Sequence, residues 1–280
     1  MSKILPEDQR MLDYYKEFPL WEGEGPYFDR EKAAVKENIT ENKSGGVNRL
    51  ANVSYPTLTF YPAYTRGEAA PVILVCPGGG YSTLAWEHEG IGVCHTLNVM
   101  GYSAFLLKYR CPGQRQAAFA DAARAVRFIR YNHERFHIDP ARVGVIGFSA
   151  GGHLAALISS PACLVPYEEK EEMDHLSFRP DFSILIYPAY LTKEGGSIGE
   201  LAEEFKVDEN TPPTFLFQAQ DDFVKVETSL YYYMALTNAK VPAEMHLFSK
   251  GAHGYGIRPV REGVSTWPRL LEKWLISLHP

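Results

Sequence analysis

Residues 143–157 read V-G-V-I-G-F-S-A-G-G-H-L-A-A-L, and this stretch sets the interpretation of the whole chain. The run Val143 to Ile146 is short, apolar and β-branched, as in a buried strand. Gly147-Phe148-Ser149-Ala150-Gly151 follows with no room for a loop, and residues 152–158 have the composition of a helix start. A strand that runs straight into a helix forces a sharp, strained turn whose apex residue projects outward. Glycine two positions either side of Ser149 removes the Cβ atoms that would clash there. The pattern is the G-x-S-x-G nucleophile elbow with Ser149 at its apex. The bland alternative is a glycine-rich turn with an incidental serine; strand before and helix after favour the elbow.

Working outward, apolar strand patterns recur at residues 71–76, 102–109, 182–187, 214–218 and 243–248. Helical patterns fall between them at about 87–100, 114–135, 227–238 and 266–278. In the second of these, Phe119, Ala122, Ala123, Val126 and Ile129 share one face. Residues 48–61 give one or two strands, with Pro56 at an edge or break. Residues 188–213, rich in glycine, acids and proline, read as an insertion or cap. Strands alternating with helices predict a mostly parallel central sheet with helices on both faces. Residues 1–46 read as an N-terminal arm or cap segment that wraps the domain, and 47–280 as that single domain.

The chain has 280 residues, enough for one large α/β domain. Net charge is −6, which makes neither nucleic acid nor a membrane an expected partner. No apolar run approaches membrane-spanning length. The four cysteines, Cys76, Cys94, Cys111 and Cys163, form no C-x-x-C pair and read as reduced and structural. Together with an N-terminus lacking an apolar signal core, they predict a cytoplasmic protein.

Ligands of such sheets bind at the carboxyl ends of strands. Four chemical elements fall there: the elbow, Pro77-Gly78-Gly79-Gly80, Asp221-Asp222 and His253. A serine hydroxyl needs a base, and the base needs an acid to hold its tautomer. Ser149, then an aspartate, then His253 supplies that set in chain order. Glycines at 251, 254 and 256 let the His253 loop bend. His88, His95, His133, His137, His175, His246 and His279 read as packing or solvated, and His153 as a hydrogen-bonding neighbour of the site. A tetrahedral intermediate needs fixed donors, expected from the Ala150 backbone N–H and from Gly79 or Gly80. The triple-glycine loop is not a phosphate loop, since no Gly-Lys-Ser/Thr follows.

These residues sit within longer motifs: N-V-S-Y-P-T-L-T-F-Y, C-P-G-G-G-Y, Glu89-Gly90, L-K-Y-R, G-F-S-A-G-G-H-L-A-A, D-D-F-V-K-V-E-T-S, E-M-H-L-F-S-K-G-A-H-G-Y-G and the final W-P-x-L-x-x-x-W-L. Through them, from about Asn48 to Leu275, the chain resembles the acetyl xylan esterase-like group of α/β-hydrolases in the esterase/lipase superfamily. Pro77 stands where many relatives have His, and Lys225 where a proline is usual. The resemblance implies the α/β-hydrolase fold, no metal or organic cofactor, and deacetylation of xylo-oligosaccharides or related sugars through an acyl-enzyme. The alternatives are a general short-chain carboxylesterase, a peptidase of the same fold and a non-catalytic binding relative. The partner is then a small acylated ester; the oligomeric state stays open, a homo-oligomer included. Relatives carry D-x-x-V-P, and reading from Asp221 puts Val224 at the packed valine, which selects Asp221 over Asp222 as the acid. Asp181 precedes its strand and lies at the wrong end of the sheet. Tyr81, Trp86 and Tyr255 flank the site elements and either stack on a sugar face or serve ordinary packing.

Overall fold

The computed structural model describes residues 13–42, 47–63, 68–160, 166–193 and 199–278. Cys163 lies outside these residues. The strands are β1 (Glu17–Pro19), β2 (Asn38–Asn42), β3 (Val47–Ala51), β4 (Thr57–Tyr61), β5 (Ala70–Cys76), β6 (Ser103–Lys108), β7 (Ile138–Phe148), β8 (Phe182–Ile186), β9 (Thr214–Ala219) and β10 (Ala243–Phe248). The helices are α1 (Arg30–Ala33), α2 (Gly92–Val99), α3 (Arg115–Tyr131), α4 (His133–Phe136), α5 (Ala150–Ser159), α6 (Glu227–Asn238) and α7 (Trp267–Leu278). A π turn, Glu87–Ile91, runs directly into α2. Helix and strand boundaries shift by a few residues from the sequence pattern, because chain ends fray and the 87–100 helix opens with this wider turn.

The main sheet has eight strands in the order β1-β4-β6-β5-β7-β8-β9-β10. β6 through β10 pair in parallel, and β1 and β4 add an antiparallel edge. β2 and β3 form a separate antiparallel hairpin. The central strand β5 reads P-V-I-L-V-C after Ala70 and is apolar on both faces, as a parallel strand covered on both sides must be. Its side chains alternate. Val72, Leu74 and Cys76 join the core under α3, α5 and α6, whereas Ile73 and Val75 join the core under α2 and α7. Every residue of α5 is buried, which suits a helix lying between the sheet and α3. Cys76, Cys94 and Cys111 are buried free thiols. Among the described residues no helix is long and apolar enough to cross a membrane.

Strand order reverses beside β5: β6 lies on one side of it and β7 on the other. The crevice above this switch point receives the loop after β5 and the turn after β7, which is where the fold positions a ligand site.

The described part of the N-terminal arm packs on the sheet and on α3. β1 extends the sheet edge, and Trp21 Nε1–H donates to Asp121 Oδ1 at 2.8 Å. Asp121 is buried in α3 and carries a bidentate pair with Arg110, whose Nη2 lies 2.6 Å from Oδ1 and Nε 2.9 Å from Oδ2. Arg110 Nη1 also donates to the carbonyl of Pro26 in the arm. Removing one partner of such a pair strands a buried charge, so Asp121→Ala should cost about 3–5 kcal/mol in urea unfolding. Glu24→Ala breaks the exposed Glu24–Arg30 pair and should change stability by less than about 1 kcal/mol. Equal, small losses for both would show that the Arg110–Asp121 pair does not anchor the arm.

Candidate active site

The turn between β7 and α5 is as tight as its glycines require. A Cβ on Gly147 would lie 2.1 Å from the Gly151 carbonyl oxygen, and one on Gly151 would lie 2.0 Å from that of Cys76. No side chain fits at either position. Between them Ser149 is held at φ +52°, ψ −116°, a conformation of order 1–3 kcal/mol above the relaxed backbone for a residue with a Cβ. It persists because its surroundings over-determine it. The Ser149 N–H donates to the Ile186 carbonyl at the end of β8, and its carbonyl accepts from Ala189 at 3.0 Å and from His153 at 3.1 Å.

Ser149 Oγ lies 2.8 Å from His253 Nε2, and His253 Nδ1 lies 2.8 Å from Asp222 Oδ2. The network assigns the tautomer: Nδ1–H donates to the carboxylate, leaving Nε2 to accept the serine proton. The Asp222 side chain is fully buried, and its other oxygen accepts the Val224 N–H at 2.8 Å. The expectation that Asp221 orients His253 is therefore corrected. Asp221 is exposed, and its Oδ1 accepts the N–H groups of Gly251 and Ala252 at 2.9 and 2.8 Å. After β9 the chain turns, with the Asp222 N–H directed at the Ala219 carbonyl, and this turn sends the two neighbouring side chains to different places. Asp221 holds the backbone of the histidine loop; Asp222 reaches the ring. Reading D-x-x-V-P from Asp222 instead of Asp221 puts Lys225, rather than Val224, at the position of the packed valine. Lys225 is exposed at the cavity edge, so no lysine burial arises.

A cavity of about 640 Å³ opens over Ser149 and His253. Gly79 and Gly80 line it. A Cβ on Gly79, at φ +136°, would meet the Thr83 carbonyl at 1.9 Å, so the loop folds this way only with glycine. Among the described residues, the Gly79 and Gly80 N–H groups have no backbone or side-chain acceptor. The Gly78 N–H, by contrast, is taken by Glu89 Oε2 at 2.8 Å. Ala150 is the first residue of α5, where an amide has no partner within the helix. Free donors from the loop after β5 and from the start of α5 thus flank the serine.

None of Tyr81, Trp86 and Tyr255 lines the cavity, which corrects their reading as sugar-stacking residues. Tyr81 is buried and donates its hydroxyl to His153 Nδ1 at 2.7 Å, while His153 Nε2–H donates to Glu204. Burial pushes the His153 pKa down, and the Glu204 bond opposes that shift. Tyr255 packs edge-on against Tyr187 with centroids 4.6 Å apart, and Trp86 packs against both cores. The aromatic side chains on the cavity are Tyr190 and Phe223 instead, and Phe223, 81% exposed, lies 4.6 Å from the His253 ring. Asp181 sits at the start of β8, where it pairs with Arg130 and accepts the Val143 N–H. Sequence reasoning also missed Glu89 as a site residue, although it stands in the Glu89-Gly90 motif. It lines the cavity while 3% exposed.

A family model described as BD-FAE matches residues 58–177, a span that holds the triple-glycine loop and the elbow. The acetylxylan esterase of Xylanibacter ruminicola is 35% identical over 220 residues, covering 70% of this chain and 43% of that protein. Endo-1,4-beta-xylanase B of Butyrivibrio fibrisolvens is 34% identical over 205 residues, covering 65% of this chain and 32% of that protein. The chain thus spans less than half the length of these curated relatives. A solved structure, that of the acetyl ester-xyloside bifunctional hydrolase of Caldicellulosiruptor lactoaceticus, superposes with a TM-score of 0.75 at 33% identity, covering 95% of this chain and 97% of that one. With motifs, fold and a relative matched along nearly its whole length in agreement, this chain belongs to the acetyl xylan esterase-like α/β-hydrolases.

Proposed function

We propose that the protein is a serine carboxylesterase that removes acetyl groups from xylo-oligosaccharides or related sugars. The observation that carries the reading is the unbroken relay from Ser149 Oγ through His253 to the buried Asp222 carboxylate. Ser149 Oγ attacks the ester carbonyl while His253 Nε2 takes its proton. Asp222 holds Nδ1–H and stabilises the imidazolium that forms. The N–H groups of Ala150 and of Gly79 or Gly80 receive the oxyanion, as fixed dipoles that need no rearrangement as charge develops. The acyl C–O bond then breaks, His253 Nε2–H protonates the departing sugar oxygen to give the free sugar hydroxyl, and acetyl stays on Ser149. A water molecule, deprotonated by the same Nε2, attacks the acyl carbon; the C–Oγ bond breaks, His253 returns the proton to Ser149 Oγ, and acetate leaves.

The choice of an acetylated sugar draws on the names of the relatives, which include an acetylxylan esterase and an acetyl ester-xyloside hydrolase. An open cavity edged by Tyr190 and Phe223 suits a sugar presenting an apolar face. The buried free thiols of Cys76, Cys94 and Cys111 support a reducing compartment, and with it a cytoplasmic setting.

On p-nitrophenyl acetate, Asp222→Asn should lower kcat by about 10⁴-fold, because the imidazole then rests in the wrong tautomer. Asp221→Asn keeps one acceptor for the loop amides and should cost no more than about tenfold. The reverse ranking would return the acid role to Asp221.

A chain-length series of p-nitrophenyl esters should peak at acetate or propionate, and acetate should be released from acetylated xylo-oligosaccharides. Faster turnover of octanoate than of acetate would contradict the acetyl reading. Good turnover of short esters with no acetate released from any acetylated sugar would point to a general short-chain carboxylesterase.

A further inference from the structure

Glu89 and Tyr187 lie beside the reacting groups and have no part in the relay. Glu89 sits in the π turn ahead of α2, and its two carboxyl oxygens serve different loops. Oε2 accepts the Gly78 N–H at 2.8 Å, at the root of the Gly79-Gly80 donor loop. Oε1 accepts the Tyr187 hydroxyl at 2.8 Å. The Tyr187 oxygen in turn accepts the Gly256 N–H at 2.9 Å, in the loop that carries His253. Tyr187 follows β8 with φ +39°, and its ring lies 4.9 Å from that of His253. Its neighbour Ile186 accepts the Ser149 N–H. A parallel backbone link, Ile257 N–H to the His88 carbonyl at 2.9 Å, ties the same π turn to the same histidine loop. The donor loop, the elbow strand and the histidine loop thus meet at one buried carboxyl and one buried phenol.

We infer that Glu89 and Tyr187 are positioning residues for the proposed ester hydrolysis, together fixing the oxyanion donor loop and the His253 loop relative to Ser149. This rests on the esterase reading of the site. The chemistry needs such a brace because the donors and the base come from loops far apart in sequence. A displacement of either loop by a fraction of a bond length is felt at the transition state rather than in substrate binding. A charge at Glu89 is costly to bury, and burial pushes its pKa up while the bonds from Tyr187 and Gly78 oppose the shift. A buried carboxyl with both oxygens engaged, at the wall of a reactive cavity, is an expensive element to keep for packing alone.

The test compares Glu89→Ala, Glu89→Gln, Tyr187→Phe and the Glu89→Ala/Tyr187→Phe double variant with wild type. Active sites are counted by fluorophosphonate stoichiometry, and kcat and KM for p-nitrophenyl acetate are expressed per titrated site. Glu89→Ala should lower kcat by about 100-fold with KM within about threefold of wild type. Glu89→Gln should recover kcat to within about tenfold of wild type, because its amide oxygen still accepts the Gly78 N–H and its NH₂ can face the Tyr187 oxygen. Tyr187→Phe should cost about tenfold, and the double variant should be no slower than Glu89→Ala, since both changes break one chain of bonds. A merely structural role would lower the titratable fraction and leave kcat per site unchanged. That result, a loss confined to KM, Glu89→Gln no faster than Glu89→Ala, or additive losses would each overturn the inference. If Glu89→Ala does not fold, Tyr187→Phe and Glu89→Gln decide it: Tyr187→Phe with wild-type kcat per site, or Glu89→Gln slower than about tenfold below wild type, overturns the inference. Failure of wild type to react with the fluorophosphonate would overturn the esterase reading itself, and the inference with it.

Discussion

At the end of β7 the chain reverses into α5 while its backbone lies against the carbonyl of Cys76 in the neighbouring strand. That close approach constrains almost everything nearby. It admits only glycine at 151, the first turn of α5 admits only glycine at 147, and between them Ser149 sits at positive φ. It also sets the first turn of α5 directly above the switch point between β5 and β7. The same geometry leaves the Ala150 amide, at the first position of α5, without a helical partner. The strain at Ser149 is maintained by a covered parallel sheet on both sides, so the stability of the core and the exposure of the hydroxyl have a common origin.

A second constraint lies at the far side of the crevice, where two adjacent carboxylates divide two tasks. The loop after β10 must present an imidazole to Ser149, and a loop with glycines at 251, 254 and 256 does not hold one conformation by itself. Asp221 fixes the backbone by accepting two successive amides; Asp222 fixes the ring by accepting Nδ1–H. The first task tolerates solvent. The second is performed by a side chain with no exposed surface, where a single hydrogen bond to a charged acceptor is strongest.

The sequence carried the sheet, the helices on both faces, the elbow and the His253 loop, because each has a local signature: β-branched runs, helical spacing, and glycines where the backbone has no room. It did not carry the choice between Asp221 and Asp222. That choice depends on how the chain turns after Ala219, and the position after Val224, held by Lys225, is exposed rather than packed. Tyr81, Trp86 and Tyr255 neighbour site residues in the chain. Nearness along the chain does not give side-chain direction, and packing claims these rings while Tyr190 and Phe223, from the loops after β8 and β9, reach the cavity. Glu89 stands in a motif, but its partnership with Tyr187 has no local signature, since it spans 98 residues and arises only when β5, β8 and the histidine loop converge.

The central claim is that acyl transfer passes through Ser149, and the acyl-enzyme itself is the most direct observable. Wild-type protein mixed with p-nitrophenyl acetate, quenched in acid during the first turnovers and digested, should yield the peptide containing Ser149 heavier by one acetyl group, with no such gain on any other peptide. Full turnover with Ser149 unmodified at every quench time, together with undiminished hydrolysis by Ser149→Ala, would contradict the account.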